Sequence, residues 1–137
     1  MVHALERVRP WLGSEGYVLE IHDVSAPPRI EVHTQQHQFY AGQLLSTTNY
    51  EGEYQADQAI DDVIQAGIFN SRHSKTFEYY IRADSLSSLQ DFLTESWENT
   101  YLTQGTQQKV HELEGQSGHG SEVVLHMISR MIKLEPG

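Results

Sequence analysis

The 137-residue chain contains no cysteine. Disulfides, thiolate metal ligands and thiol nucleophiles are therefore excluded. Basic residues are scarce: 9 Lys and Arg stand against 19 Asp and Glu, a net charge of −10. Such a surface opposes non-specific binding to nucleic acid, whose phosphates need positive charge, so no nucleic-acid partner is expected. No stretch approaches the roughly 20 apolar residues of a membrane span, and the opening MVHALERV lacks the apolar run of a signal peptide. A cytoplasmic protein with no membrane partner is expected. The length suits one domain burying roughly 65–70% of its unfolded surface.

What is present reads as alternating helix and strand. Leu5, Val8 and Leu12 share a helical face up to Pro10, and Gly13 and Gly16 let the chain reverse. Tyr17 to Ile21 reads as a strand buried on both faces. The prolines of His22-Asp23-Val24-Ser25-Ala26-Pro27-Pro28 make a loop. Residues 29–46 read as a β-hairpin, with Gly42 at a bulge or a close approach. A helix is predicted over 53–66, with Gly67 as its C-terminal cap. A strand follows over 76–82, a helix over 86–97 capped by Asp84 or Ser85, and a weaker helix over 104–114. A polar loop spans 116–120, and residues 121–134 form a strand with apolar residues on both parities, suited to a central position.

Arg9, Pro10, Gly13, Gly16, Leu19, Ile21 and His22 resemble the passage into the fifth strand of class I S-adenosylmethionine-dependent methyltransferases. Trp11-Leu12 and Ser14-Glu15 lengthen the turn relative to that pattern. A second block resembles the C-terminal part of a bacterial subgroup of the family: Asp57-Gln58-Ala59, Gly67-Ile68-Phe69, Phe77-Glu78-Tyr79-Tyr80, Ala83-Asp84-Ser85, Leu89, Phe92-Leu93 and Glu95-Ser96-Trp97. The resemblance covers nearly all of residues 1–137 but only the second half of the family's fold. It implies an α/β fold (α+β-like as a fragment), with a mixed sheet equivalent to the family's strands five, seven and six and an inserted hairpin at 29–46. The antiparallel seventh strand would insert between the other two. The cofactor-binding half would precede Met1, and no G-x-G-x-G occurs in the chain. S-adenosylmethionine is then expected only if a complementary half is present, and no cofactor-binding residue is assigned. Without its usual neighbour, strand 17–22 would have an open edge, which native proteins cover. A homodimer, or a partner chain covering that edge, is expected.

Several residues carry candidate chemistry. His22 and Asp23 end a strand, where α/β proteins gather functional groups, and are the catalytic candidates. Against that stands a loop whose polar groups satisfy local backbone. His22, His33 and His37 are candidate metal ligands, against ordinary surface and strand histidines that titrate near neutrality. Tyr40, Tyr79, Tyr80 and Trp97 are candidates to line an apolar pocket, though aromatic residues at strand and helix positions are more often core. The function expected is a methyltransferase-like half-domain, not catalytic alone, acting in assembly or on the substrate side. The alternatives are a small dimeric binding protein for an apolar ligand and a histidine metal site.

Overall fold

In the computed structural model, which describes residues 1–117 and 120–137, strand β7 (Glu122–Pro136) is the longest-range organiser of the chain. Its apolar residues occupy both parities, as a central strand requires. It pairs antiparallel with β1 (Val18–Asp23) through residues 129–134 and with β2 (Arg29–His33) through residues 122–126. It also pairs with β5 (Phe69–Ala83). The fold combines helices with a mostly antiparallel, multi-stranded sheet, the mixed α/β class expected. Its contacts group into two compact units.

One unit comprises Met1–Ser25, Glu51–Phe77 and Ile128–Gly137. Helix α1 (Val2–Val8) runs into a short 3-10 turn at Arg9–Trp11, where Pro10 lacks the N–H needed to continue an α-helix. Helix α2 (Glu51–Gln65) carries Glu51 and Glu53 in its first turn, complementing the positive end of its dipole. It closes at Gly67 with φ +70°: the Gly67 N–H donates to Ile64 and the Ile68 N–H to Val63. This paired 5→2 and 6→1 pattern is a Schellman cap, which needs the left-handed backbone glycine supplies. Leu5, Ile60, Val63, Phe69, Ile132 and Leu134 form the core.

The other unit comprises Ala26–Tyr50 and Glu78–Met127. Here β2 pairs with β3 (Gln38–Gln43) to make the expected hairpin. Ile30 opposes Gly42 and Glu31 opposes Tyr40, so Ala41 is the extra residue of a bulge. Gly42 is also a close approach: a Cβ there would overlap Thr106 Oγ1 and Cγ2 of α4 (Gln104–Ser117). Short strands β4 (Leu45–Ser46) and β6 (Thr100–Tyr101) pair separately. Helix α3 (Leu86–Ser96) begins at Ser85, whose side chain accepts from the Ser88 N–H. The core gathers Ile30, Val32, Leu44, Leu89, Val110 and Leu125, among others.

Three expectations change. Strand β1 is not buried on both faces: Leu19 and Ile21 remain 53% and 57% exposed, while Glu20 and His22 turn inward. Strand β5 starts at Phe69 rather than Thr76, because pairing overrides the polar sequence of 70–76. The helix expected over 104–114 extends to Ser117, so only the end of the 116–120 loop is left, with residues 118–119 outside those described.

Gly42→Ala is expected to destabilise the chain by about 1–3 kcal/mol in urea unfolding, the usual cost of forcing atoms into a packed site. Adding Thr106→Ala, which removes the overlapping Oγ1 and Cγ2, should recover part of that loss; an unchanged deficit would place the cost elsewhere.

Candidate functional site

Burying one face of β1 brings Glu20 and His22 inward, because residues two apart share a strand face. His22 Nδ1 donates to Glu20 Oε2 at 2.6 Å and Nε2 donates to Asp57 Oδ1, on α2, at 2.8 Å. Arg130 of β7 reaches the same Asp57 oxygen at 2.8 Å. Ionised carboxylates only accept, so the form of the ring that satisfies both contacts is the imidazolium. Burial alone lowers the His22 pKa; the hydrogen bonds and negative charge of Glu20 and Asp57 outweigh it and hold the pKa above 6.5. His22 therefore has no lone pair to offer as a base or a metal ligand in this arrangement. Its neighbour Asp23 accepts a hydrogen bond from the Ser129 hydroxyl on β7. The two catalytic candidates serve here as cross-links between β1, α2 and β7.

A second cluster surrounds Glu31, which is 5% exposed, as is His33. Glu31 Oε1 accepts from His33 Nε2 at 2.7 Å; Oε2 accepts from Arg29 Nε at 2.9 Å and His126 Nδ1 at 3.0 Å. Burial pushes the Glu31 carboxyl up, but the bonds from His33, His126 and Arg29 pull it below 4.5. Arg82 approaches the other His33 nitrogen, Nδ1, at 3.5 Å. The Tyr80 ring packs on His126 with centroids 4.7 Å apart and meets His33 edge-on at 5.8 Å. Arg29 and Arg82 lie over the rings of Tyr40 and Tyr80 respectively.

The structure distributes the other candidates. His37 is exposed beside Phe39 at the hairpin turn, and His33 is engaged by Glu31. His22 belongs to the other compact unit, with both nitrogens already donating. Among the described residues, no group of three or more His, Cys, Asp or Glu is placed to hold a metal ion. Tyr79 packs against the core, and Tyr40 and Tyr80 take part in the Glu31 face. Trp97 also packs on the core and lines an open cavity of about 480 Å³ with Leu93, Tyr101, Leu102 and Gln107. Sequence reasoning missed Asp57, Glu31, His126 and Arg130. A signal existed for the first-line partners: Glu20-Ile21-His22 and Glu31-Val32-His33 are two E-x-H triplets within strands. That spacing puts a carboxylate and an imidazole side by side on one face.

Class I methyltransferases hold S-adenosylmethionine where a glycine loop joins a strand to a helix N-terminus. Among the described residues, the strand-to-helix junctions at 47–50, 84–85 and 102–103 contain no glycine. Serine or threonine hydroxyls already cap the last two, Ser85 to the Ser88 N–H and Thr103 to the Thr106 N–H. These junctions do not fit the cofactor. No helix is long and apolar enough to cross a membrane. Comparison with known families, curated proteins and solved structures finds no match.

Both clusters predict a pH dependence. His22 has a raised pKa in the fold, so its stabilisation is complete below about pH 6.5 and lost as pH rises through the folded value. Glu31 has a lowered pKa, so its stabilisation is present above about pH 4.5 and lost as pH falls through the folded value. The stability gap between the native chain and His22→Gln should therefore be larger at about pH 6 than at about pH 8 in urea titrations. A gap independent of pH would contradict the imidazolium. Glu31→Ala should cost about 3–5 kcal/mol at neutral pH, because it leaves the buried His33 and the largely buried His126 without their acceptor.

Proposed function

We propose that the chain is a methyltransferase-like half-domain that works in assembly or on the substrate side, not as a catalyst alone. The observation that carries this reading is the pairing of β7: antiparallel to β1, and bonded also to β5. A strand flanked by β1 and β5 is what the resemblance of Arg9 to His22 and of Asp57 to Trp97 calls for, and it supports the reading. The acidic surface favours protein partners in the cytoplasm over nucleic acid.

The assembly surface in this reading is β1. Among the described residues it ends the strand order β1-β7-β2-β3, leaving one edge unpaired. Tyr17, Leu19 and Ile21 are exposed along it. An open edge with an apolar face is what a second strand covers, and a second copy is the simplest source. A second reading, a small apolar-ligand binder, draws on the cavity at Trp97.

Light scattering on the purified chain is expected to give a two-copy mass. Ile21→Lys, at an exposed position, should return the one-copy mass without loss of fold by circular dichroism. Titration with S-adenosylmethionine in a calorimeter should give no heat. A one-copy mass for the native chain removes the self-assembly reading, and one-to-one micromolar binding of S-adenosylmethionine removes the half-domain reading.

A further inference from the structure

Between the end of α3 and the start of α4 the chain doubles back on itself. Trp97 closes α3, its N–H donating to Leu93 O at 2.8 Å, and the Thr100 N–H returns to Trp97 O at 3.3 Å. This turn brings β6 to the last turn of α3, around the open cavity of about 480 Å³. Buried Leu93 and Leu102, half-buried Trp97 and exposed Tyr101 supply its apolar lining. The lining is held by its own bonds. Gln107 Nε2 donates to Leu102 O at 3.1 Å, and the Thr100 hydroxyl donates to Trp97 O at 2.9 Å. The Phe92 ring packs on the Trp97 indole with centroids 6.1 Å apart. Little ordering is therefore required when a ligand enters.

The charge around this cavity is of one sign. Glu98 is the charged residue of its lining, and among the described residues no ion pair or hydrogen bond engages the Glu98 carboxylate. Residues 83–108, which supply the whole lining, also hold Asp84, Asp91 and Glu95, and no Lys, Arg or His. An anionic ligand is opposed by that field, and a neutral one makes no use of it.

We propose that the cavity at Trp97 binds a small organic cation whose charged head is a tertiary or quaternary alkylammonium. Aromatic rings and a carboxylate are the groups that recognise such a head. The rings of Trp97 and Tyr101 attract a cation through their π-electrons, and Glu98 supplies the opposite charge. The alkyl groups on the nitrogen match Leu93 and Leu102. A primary ammonium fits less well, because its three N–H donors each need an acceptor. The cavity volume lies within the range of small-molecule sites, about 300–1,000 Å³. This ligand class rests on the second reading above, the apolar-ligand binder, and adds the charge that its ligand carries.

The test is a titration of the full chain with choline and, separately, with its uncharged isostere 3,3-dimethylbutan-1-ol. Binding is followed by nuclear magnetic resonance at the Trp97 indole N–H and the Tyr101 backbone N–H. Trp11, the other tryptophan, belongs to the other compact unit and serves as an internal reference. Choline is expected to shift Trp97 and Tyr101 saturably and to leave Trp11 unmoved, and the alcohol is expected to bind about fivefold more weakly or less. Glu98→Gln and Tyr101→Leu should each weaken choline binding about two- to fivefold. Both change exposed side chains and should leave the fold intact by circular dichroism. Equal binding of choline and the alcohol overturns the cation site and leaves the apolar-ligand reading standing. Trp97 unmoved by either probe overturns both. Choline binding that survives both substitutions places the ligand elsewhere and also overturns the site. None of these outcomes bears on the light-scattering mass or on the S-adenosylmethionine titration.

Discussion

Two-sided burial of β7 is the constraint on which the rest of the structure depends. Val123, Leu125 and Met127, at odd positions, feed the core of one compact unit. Ile132 and Leu134, at even positions, feed the core of the other. A strand that supplies apolar side chains on alternate parities in its two halves cannot tolerate polar residues on a fixed face. Every neighbour must then register against it. The β1 pairing from Val18–Leu134 to Asp23–Ser129 and the β2 pairing from Arg29–His126 to His33–Glu122 are the two consequences. Slipping either by one residue would reverse which side chains face inward, so both registers are tightly specified.

Registration against β7 accounts for the buried charge. It places Glu20 and His22 on the covered face of β1, and Glu31 and His33 between neighbouring strands. Buried charges are costly unless paired, and here each carboxylate is. The two E-x-H triplets reach opposite electrostatic solutions. In β1 two carboxylates enclose one imidazole and keep it charged. In β2 one carboxylate is shared by two imidazoles and a guanidinium and stays ionised. Such networks add little net stability over apolar packing, but they penalise any arrangement in which one member is missing. Their effect is to fix which strands meet.

The elements with strong local signals were legible in the sequence. Gly67 after Ile60, Val63 and Ile64 reads as a helix and its stop, and the cap has the geometry that spacing implies. Ser85 before Leu86 and Leu89 reads equally plainly. Gly42 is the close approach its position suggested, and the bulge lies beside it at Ala41. The first half of β5 was not legible, because Asn70-Ser71-Arg72-His73-Ser74-Lys75 has no apolar alternation; only partner hydrogen bonds make it a strand. Of the candidate site, His22 and His33 were visible and their partners were not. Asp57 meets His22 and Arg130 meets Asp57 across long sequence separations, and Glu31 meets His126 across 95 positions. Periodicity within an element carries no information about such pairs. The E-x-H spacing carried half of it: a carboxylate next to each imidazole, but not the third group.

The reversed polarity of β1 bears most directly on function. A solvated strand ordinarily turns its polar residues out and its apolar residues in. Here Glu20 and His22 are in and Leu19 and Ile21 are out. The two inward groups explain themselves, since His22 bridges Glu20 and Asp57. The two outward groups have no such account among the described residues. Fully burying a leucine or isoleucine stabilises by about 1.5–3 kcal/mol relative to leaving it in water, so leaving both exposed forgoes a sizeable part of a typical domain's stability of about 5–15 kcal/mol. Leu19 and Ile21 are thus exposed at a cost in stability, while the opposite face of the strand buries two charged groups. Beside an unpaired strand edge, their surface suits another strand laid against β1, adding hydrogen bonds along the edge and covering Leu19 and Ile21 together. In the assembly proposed above, the charged inner face of β1 holds the strand in register and the apolar outer face is the surface that a second strand would cover.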